Sequence, residues 1–268
     1  STRPTGKIKE VVIMTEDLHM PTLHVEGAIA TLQLNKAEYA NRLSPADLKA
    51  IEQHIATVND SEGVLVLRLI ASGKYFCSGY DISSLASEEA PSSLYFGEVV
   101  DALEQCRAVT IASIQGGVYG GGTDLCLACD FRLGADRVNM FMPAVKFGLH
   151  FYPGGMQRYI SRLGLNNAKY LFLTAEKADA ARMLDMGFLT ELVPAERLQL
   201  RTDELSSHLA AMAPQALLGI KKHLNLIARQ EIRTEEITQA VLRSESSQDM
   251  KEGAAAWRAQ RSPVFTGR

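Results

Sequence analysis

Cysteine is scarce in this sequence, four residues in 268, and only Cys126 and Cys129 stand at a C-x-x-C spacing. A secreted fold held together by disulfides needs more, and a structural zinc site needs a second pair of ligands. Both are excluded, and LCLACD reads instead as small residues of a buried helix. Histidine is equally thin: His19, His24, His54, His208 and His223 show no metal-ligand grouping, with His54 on a surface helix, so no metal site is expected. The single tryptophan, Trp257, is expected to pack among the terminal helices. No stretch approaches the roughly 20 apolar residues of a bilayer span, and Ser1 to Lys9 lack the apolar core of a signal peptide. The expectation is a cytoplasmic protein, or an organellar one after processing, with no membrane partner. Positive charge is not in excess either. A formal net charge of −3 leaves no electrostatic footprint for nucleic acid.

What is present is an apolar fraction of 46%, enough to build a sizeable core, arranged in alternating strand-like and helix-like stretches. Glu10 to Met14, Thr22 to Val25 and Ala28 to Leu34 read as strands. Ser44 as N-cap and Pro45 at the first helical position open a helix carrying Leu48, Ile51, Ile55 and Val58 at helical spacing. Val64 to Ile70 is a continuous apolar run that suits a strand buried on both faces. After a loop-rich segment near Ser83 to Ser93 come a helix to about Gln105, a strand over Val109 to Gln115, a helix over about Gly122 to Cys129 and a strand over Phe131 to Gly134. Such alternation indicates an α/β architecture. From Arg197 the pattern turns helical, with helices over Gln215 to Arg229 and Thr234 to about Arg261. The expected division is therefore a core over 1–196 and a helical packing or assembly domain over 197–268.

The most informative stretch is Ile114-Gln115-Gly116-Gly117-Val118-Tyr119-Gly120-Gly121-Gly122-Thr123-Asp124-Leu125, five glycines between a strand and a helix. It lacks the Gly-Lys-Ser/Thr ending of a phosphate-binding Walker loop and the G-x-G-x-x-G offsets of a dinucleotide fingerprint. What remains is a helix N-terminus with exposed amides, which stabilises negative charge and is a natural half of an oxyanion hole. A tight turn allowing close packing reads equally well from the glycines alone.

Two further segments narrow the choice: Phe76-Cys77-Ser78-Gly79-Tyr80-Asp81-Ile82, and Pro143-Ala144 followed by His150-Phe151-Tyr152-Pro153-Gly154-Gly155-Met156-Gln157-Arg158. Taken with the glycine run, the sequence resembles the enoyl-CoA hydratase/isomerase (crotonase) superfamily, with its F-x-x-G-x-D-[IL], G-x-x-x-G-G-G and P-x(n)-G-G-x-Q-R segments in this order. Ala178 to Val193 and the ending Arg261-Ser262-Pro263-Val264-Phe265 extend the resemblance over nearly the whole chain.

The resemblance implies a spiral of ββα units followed by a C-terminal helical domain, assembled as a homotrimer or a dimer of trimers. It also implies an acyl-CoA or acyl-carrier-protein thioester as substrate, with coenzyme A only as part of that substrate and no further cofactor. The amides of Tyr80 and Gly121 would form the oxyanion hole, and Lys36, Ser78, Gly79, Asp81, Ile82, Gly120, Pro143 and Ala144 would line the substrate. Hydratases of the family carry two glutamates, where this chain has Asp124 and Ala144. A shorter carboxylate and a missing one disfavour two-carboxylate hydration, so Asp124, His150 and Tyr152 become the candidates for moving protons. An isomerase, a decarboxylase or C–C hydrolase acting on a β-dicarbonyl or malonyl-type thioester, and a non-catalytic interaction protein on the same fold are the readings left open. Lys36, Arg42, Lys74, Arg258 and Arg261 are the cations available for carrier phosphates. Cys77 has no identifiable base beside it and is not expected to act as a nucleophile.

Overall fold

The computed structural model describes residues 19–83 and 92–268. The strand expected at Glu10 to Met14 and most of the loop expected near Ser83 to Ser93 lie outside the described residues. Strands β1 (Thr22–Glu26) and β2 (Ile29–Leu34) form an antiparallel hairpin with Thr22 opposite Gln33. Helix α1 (Pro45–Asp60) starts where the sequence signals it. The Ser44 hydroxyl accepts from the Asp47 amide while the Asp47 carboxylate accepts from the Ser44 amide, a reciprocal cap that satisfies two donors left over at the helix start. The buried Asp47 carboxylate is also paired with Lys36 at 2.5 Å.

Three ββα units follow. The first is β3 (Val66–Ala71), β4 (Tyr75–Cys77) and α2 (Ser93–Glu104); the second is β5 (Val109–Ile114), β6 (Gly117–Tyr119) and α3 (Gly121–Leu127). The third is β7 (Phe131–Ala135), β8 (Asn139–Phe141) and α4 (Pro153–Leu163). In each unit the long strand enters a six-stranded sheet of order β1-β2-β3-β5-β7-β10, with β10 at Glu191–Val193, parallel from β2 onward. The short strand enters a four-stranded sheet of order β4-β6-β8-β9, with β9 at Ala178–Asp179. After α5 (Leu165–Lys169), the strand β9 (Ala178–Asp179), helix α6 (Ala180–Asp185) and strand β10 (Glu191–Val193) close both sheets. All six residues of β5 are buried, as expected of a parallel strand covered on both faces. This is the expected α/β spiral.

The second sheet is the part that periodicity missed. Strands of two or three residues are too short to show alternation, and their pairing comes from tertiary contact. Their role is to stack the three turns that follow β4, β6 and β8 on one side of the molecule.

The chain ends in α7 (Leu198–Ala210), α8 (Pro214–Ala228), α9 (Thr234–Ser246) and α10 (Gln248–Arg258). Helix α7 lies on the large sheet, with the Thr202 and Ser113 hydroxyls 2.9 Å apart in the core. Helix α8 is fixed to the spiral by the Lys221–Asp130 ion pair at 2.8 Å and by Asn225, which donates to the Glu104 carbonyl. Two expectations are corrected here. The segment from Thr234 is two helices, because Ser247 leaves the helical conformation and caps α10 by accepting from the Met250 amide. Trp257 is 85% exposed on α10, so it does not pack among the terminal helices of its own chain. Among the described residues no helix is long and apolar enough to cross a membrane, and no three potential metal ligands cluster.

Replacing Ser44 with Ala removes one half of the α1 cap and should cost about 1 kcal/mol. Urea unfolding is expected to show a lower midpoint at unchanged slope.

Candidate active site

The turn after β4 is strapped to an earlier loop by three backbone bonds. Ser78 N–H donates to Ala40, Leu43 N–H to the Gly79 carbonyl and Asp81 N–H to the Leu43 carbonyl, each at 2.9 Å. Gly79 has φ +95°, a conformation that side chains with a Cβ rarely adopt. The turn after β6 is formed by Gly120, whose amide donates to the Phe141 carbonyl at 3.1 Å, and Gly121, the first residue of α3. A first helical residue has no acceptor for its N–H within the helix. These two turns touch. A Cβ on Gly79 would lie 2.9 Å from the Gly121 nitrogen and 2.9 Å from the Tyr119 carbonyl oxygen, and one on Gly122 would lie 2.7 Å from the Cys77 carbonyl. Glycine at these positions is what allows α3 to start against the β4 turn.

The third turn follows β8: Pro143 precedes a short 3₁₀ segment, Ala144–Phe147, and the chain then runs through His150 to Tyr152 before α4. The three turns and α2 surround a cavity of about 270 Å³. Ten candidates from the sequence line it, namely Ser78, Tyr80, Asp81, Ile82, Gly120, Gly121, Pro143, Ala144, His150 and Tyr152. Arg42 is on the wall as well. Three are not on the wall: Gly79 holds the two turns together behind it, Lys36 is paired with Asp47, and Asp124 is buried one layer further in.

Asp124 is 0% exposed and its two oxygens are occupied. Arg158 donates from Nε to Oδ1 at 2.8 Å and from Nη2 to Oδ2 at 2.9 Å, while the Tyr152 hydroxyl donates to Oδ2 at 2.7 Å. Arg158, itself 1% exposed, continues the charge alternation to Asp101 at 3.2 Å and Glu104 at 3.0 Å on α2. Arg229, just past α8, caps the series by pairing with Asp101 at 2.7 Å and with Glu104. Tyr152 therefore presents its ring to the cavity while its proton is committed to Asp124. Burial first, and the adjacent Asp124 carboxylate second, push this phenol well above its ordinary value.

His150 is exposed at the cavity and its Nδ1 lies 2.8 Å from the Phe151 carbonyl. Asp81 is the carboxylate on the wall among the described residues, and it accepts from the Ser83 amide and hydroxyl at 3.2 and 2.6 Å and lies 3.6 Å from Arg42. Ala144 contributes a methyl group only. Cys77 is buried under the β4 turn, and burial pushes its thiol up to about 12, which agrees with a structural role. Sequence reasoning missed Phe96, Met142 and Leu149 on the wall, and Arg158, Asp101 and Glu104 behind it. Arg158 was in plain view in the third motif; Phe96 carried no local signal.

A family model described as Enoyl-CoA hydratase/isomerase matches residues 24–268. The chain belongs to the enoyl-CoA hydratase/isomerase family. It is 32% identical over 212 residues to an enoyl-CoA isomerase/hydratase of Mycosarcoma maydis, covering 76% of this chain and 77% of that one. It is 26% identical over 263 residues to the peroxisomal Δ(3,5)-Δ(2,4)-dienoyl-CoA isomerase of Arabidopsis thaliana, covering 90% and 94%. Among solved structures, an enoyl-CoA hydratase/carnithine racemase from Magnetospirillum magneticum superposes with a TM-score of 0.84 at 26% identity, covering 95% of this chain and all of that one. The protein is thus an enoyl-CoA hydratase/isomerase-like enzyme of a family that processes acyl-CoA thioesters.

Two measurements test the geometry of this family member's site. Gly79→Ala should abolish turnover while the protein remains folded by circular dichroism, because the added methyl forces the two turns apart. The second concerns Glu104. Burial alone would raise its carboxyl, yet Arg158, Arg162 and Arg229 hold it below its ordinary 4.5. Its stabilising contribution is therefore present above that value and lost as the pH falls through the lower folded-state value. The acid limb of melting temperature against pH should be flatter in Glu104→Gln than in the native protein.

Proposed function

We propose that this enzyme forms and reprotonates a thioester enolate and that movement of a double bond is the reaction its site supports best. The observation carrying the reading is the contact of the Gly79–Tyr80 turn with the start of α3 at one end of a largely apolar cavity. In this reading the Tyr80 and Gly121 amides hold the thioester oxygen as negative charge develops on it, each contributing about 2.7–4 kcal/mol to lowering the barrier.

The proton is moved by His150. A carbonyl oxygen only accepts, so the 2.8 Å contact with Phe151 calls for a proton on Nδ1, and in the neutral ring Nε2 then carries the lone pair that acts as the base. Nε2 takes the proton from the carbon next to the thioester carbonyl and returns it two carbons further along the chain. Hydration asks for more: a base for water and a separate acid for the carbon. Ala144 supplies neither, and both Asp124 oxygens are already engaged by Arg158 and Tyr152. Asp124 and Tyr152 then serve to shape the wall rather than to exchange protons. Ser78, Asp81, Ile82, Gly120 and Pro143 surround the acyl group, and Arg42 is the wall cation for the carrier's phosphate end. Coenzyme A enters only with the substrate, acyl carrier protein being the other possible carrier, and no further cofactor takes part. The assembly proposed is a homotrimer or a dimer of trimers built through the C-terminal helices.

One observation favours a second reading. Loss of carbon dioxide from a malonyl-type thioester produces the same enolate without any base, which suits a wall with Ala144 at the position in question and Arg42 facing the cavity.

Incubation with 3-hexenoyl-CoA should raise the absorbance of the conjugated enoyl thioester, and His150→Ala should slow this by about 10²–10⁴-fold. Rapid hydration of crotonyl-CoA that disappears in Asp124→Ala would overturn the assignment; carbon dioxide release from malonyl-CoA would favour the second reading.

A further inference from the structure

The cavity is bounded on one part of its wall by a continuous series of rings. Tyr80 and Phe96 have centroids 5.6 Å apart, Phe96 and Tyr152 6.0 Å, and Phe151 lies stacked on Tyr152 at 4.2 Å with 27° between the planes. With Phe147, five of the eighteen wall residues are aromatic, in a chain that is 7% aromatic overall. Packing alone does not account for that enrichment, since leucine or methionine would fill the same volume against a flexible chain.

The backbone is also cut away to admit these rings. A Cβ on Gly97 would lie 2.6 Å from the Tyr152 ring, one on Gly121 2.7 Å from the Phe96 ring, and one on Gly155 2.3 Å from the Phe151 ring. Three glycines on three different helices thus each make room for a different wall ring. The rings are braced from behind: the Tyr152 hydroxyl is tied to Asp124, and Phe151 packs on Phe172 at 5.0 Å. A wall held in this way cannot reshape around a flexible alkyl chain, whereas it offers faces and edges to a flat group.

We infer that the acyl group this enzyme selects is planar and ring-bearing, an aryl or cyclic unsaturated acyl thioester rather than a linear fatty acyl one. This rests on the thioester reading above and adds to it the class of acyl group. Aromatic contact beyond simple area burial corresponds to about a two- to tenfold gain in binding.

The experiment uses unreactive probes so that binding is separated from turnover. Calorimetry with 3-phenylpropanoyl-CoA and with hexanoyl-CoA should give at least a fivefold lower Kd for the former. Phe151→Leu, at a half-buried position, should bring the ratio close to one. Equal or tighter binding of hexanoyl-CoA to the native protein overturns the inference and leaves the thioester reading standing. A native preference that persists in both Phe151→Leu and Phe96→Leu overturns it too, because the wall would then not be its source. Failure of both thioesters to bind at all removes the thioester reading, and this inference with it.

Discussion

The contact between the β4 turn and the start of α3 is the constraint on which the rest of this molecule depends. The proposed mechanism has two backbone amides face one oxygen, and for that two loops from different repeats must approach until no side chain fits between them. The chain meets that demand with Gly79 on one side and Gly122 on the other, and the separation tolerates no Cβ at either. Everything nearby keeps that distance: the Ala40–Leu43 strap holds the first turn, and β4, β6 and β8 hold adjacent turns in register through parallel pairing. The large sheet supplies rigidity and the small sheet supplies alignment. The small sheet can be only two or three residues deep because its task is to fix turns rather than to bury area.

A second constraint comes from placing a carboxylate inside the core. Asp124 has no solvent, and an unpaired buried charge costs several kcal/mol. Arg158 neutralises it with a two-point bond, but then brings a buried guanidinium of its own, which Asp101 and Glu104 balance before Arg229 completes the series at the edge of the core. Once one charge is buried, its partners must be too, until the chain of pairs reaches a group that water can help. That is why the network runs from the cavity wall to the end of α8. It is also how the end of α8 is tied to the wall of the cavity.

These two constraints explain what could be read in the sequence and what could not. The glycine run, the Phe76–Ile82 segment and the Pro143–Arg158 segment announce themselves because close backbone approach demands particular residue types at particular spacings, and ten of the residues named from them line one cavity. The capping signal at Ser44 was legible for the same reason, being local and stereochemical. Phe96 was invisible, since a phenylalanine on an amphipathic helix looks alike whether it faces a core or a cavity. The inward turn of Asp124 was invisible too: its position in the first turn of α3 is local, but the partner that claims it, Arg158, is 34 residues away. Trp257 misled because burial was inferred from residue type, and a large apolar side chain on a terminal helix is as compatible with a surface shared with another subunit.

Tyr80 shows how one position can answer to two demands at once. In the proposed mechanism its contribution to the chemistry is an amide, set by the backbone path that Gly79 permits, so that the identity of its side chain is irrelevant to the oxyanion. The ring is then free to be chosen for a different purpose, and it joins the aromatic wall at Phe96. Ala144 is the complementary case, a position without charge that offers only a small apolar surface on the same wall. A site that activates its substrate through the backbone can therefore change its side chains without dismantling the activation. That separation lets one spiral of turns serve several reactions, and in the proposed mechanism it leaves the choice of reaction to the His150 imidazole and the choice of acyl group to the aromatic side chains of the wall.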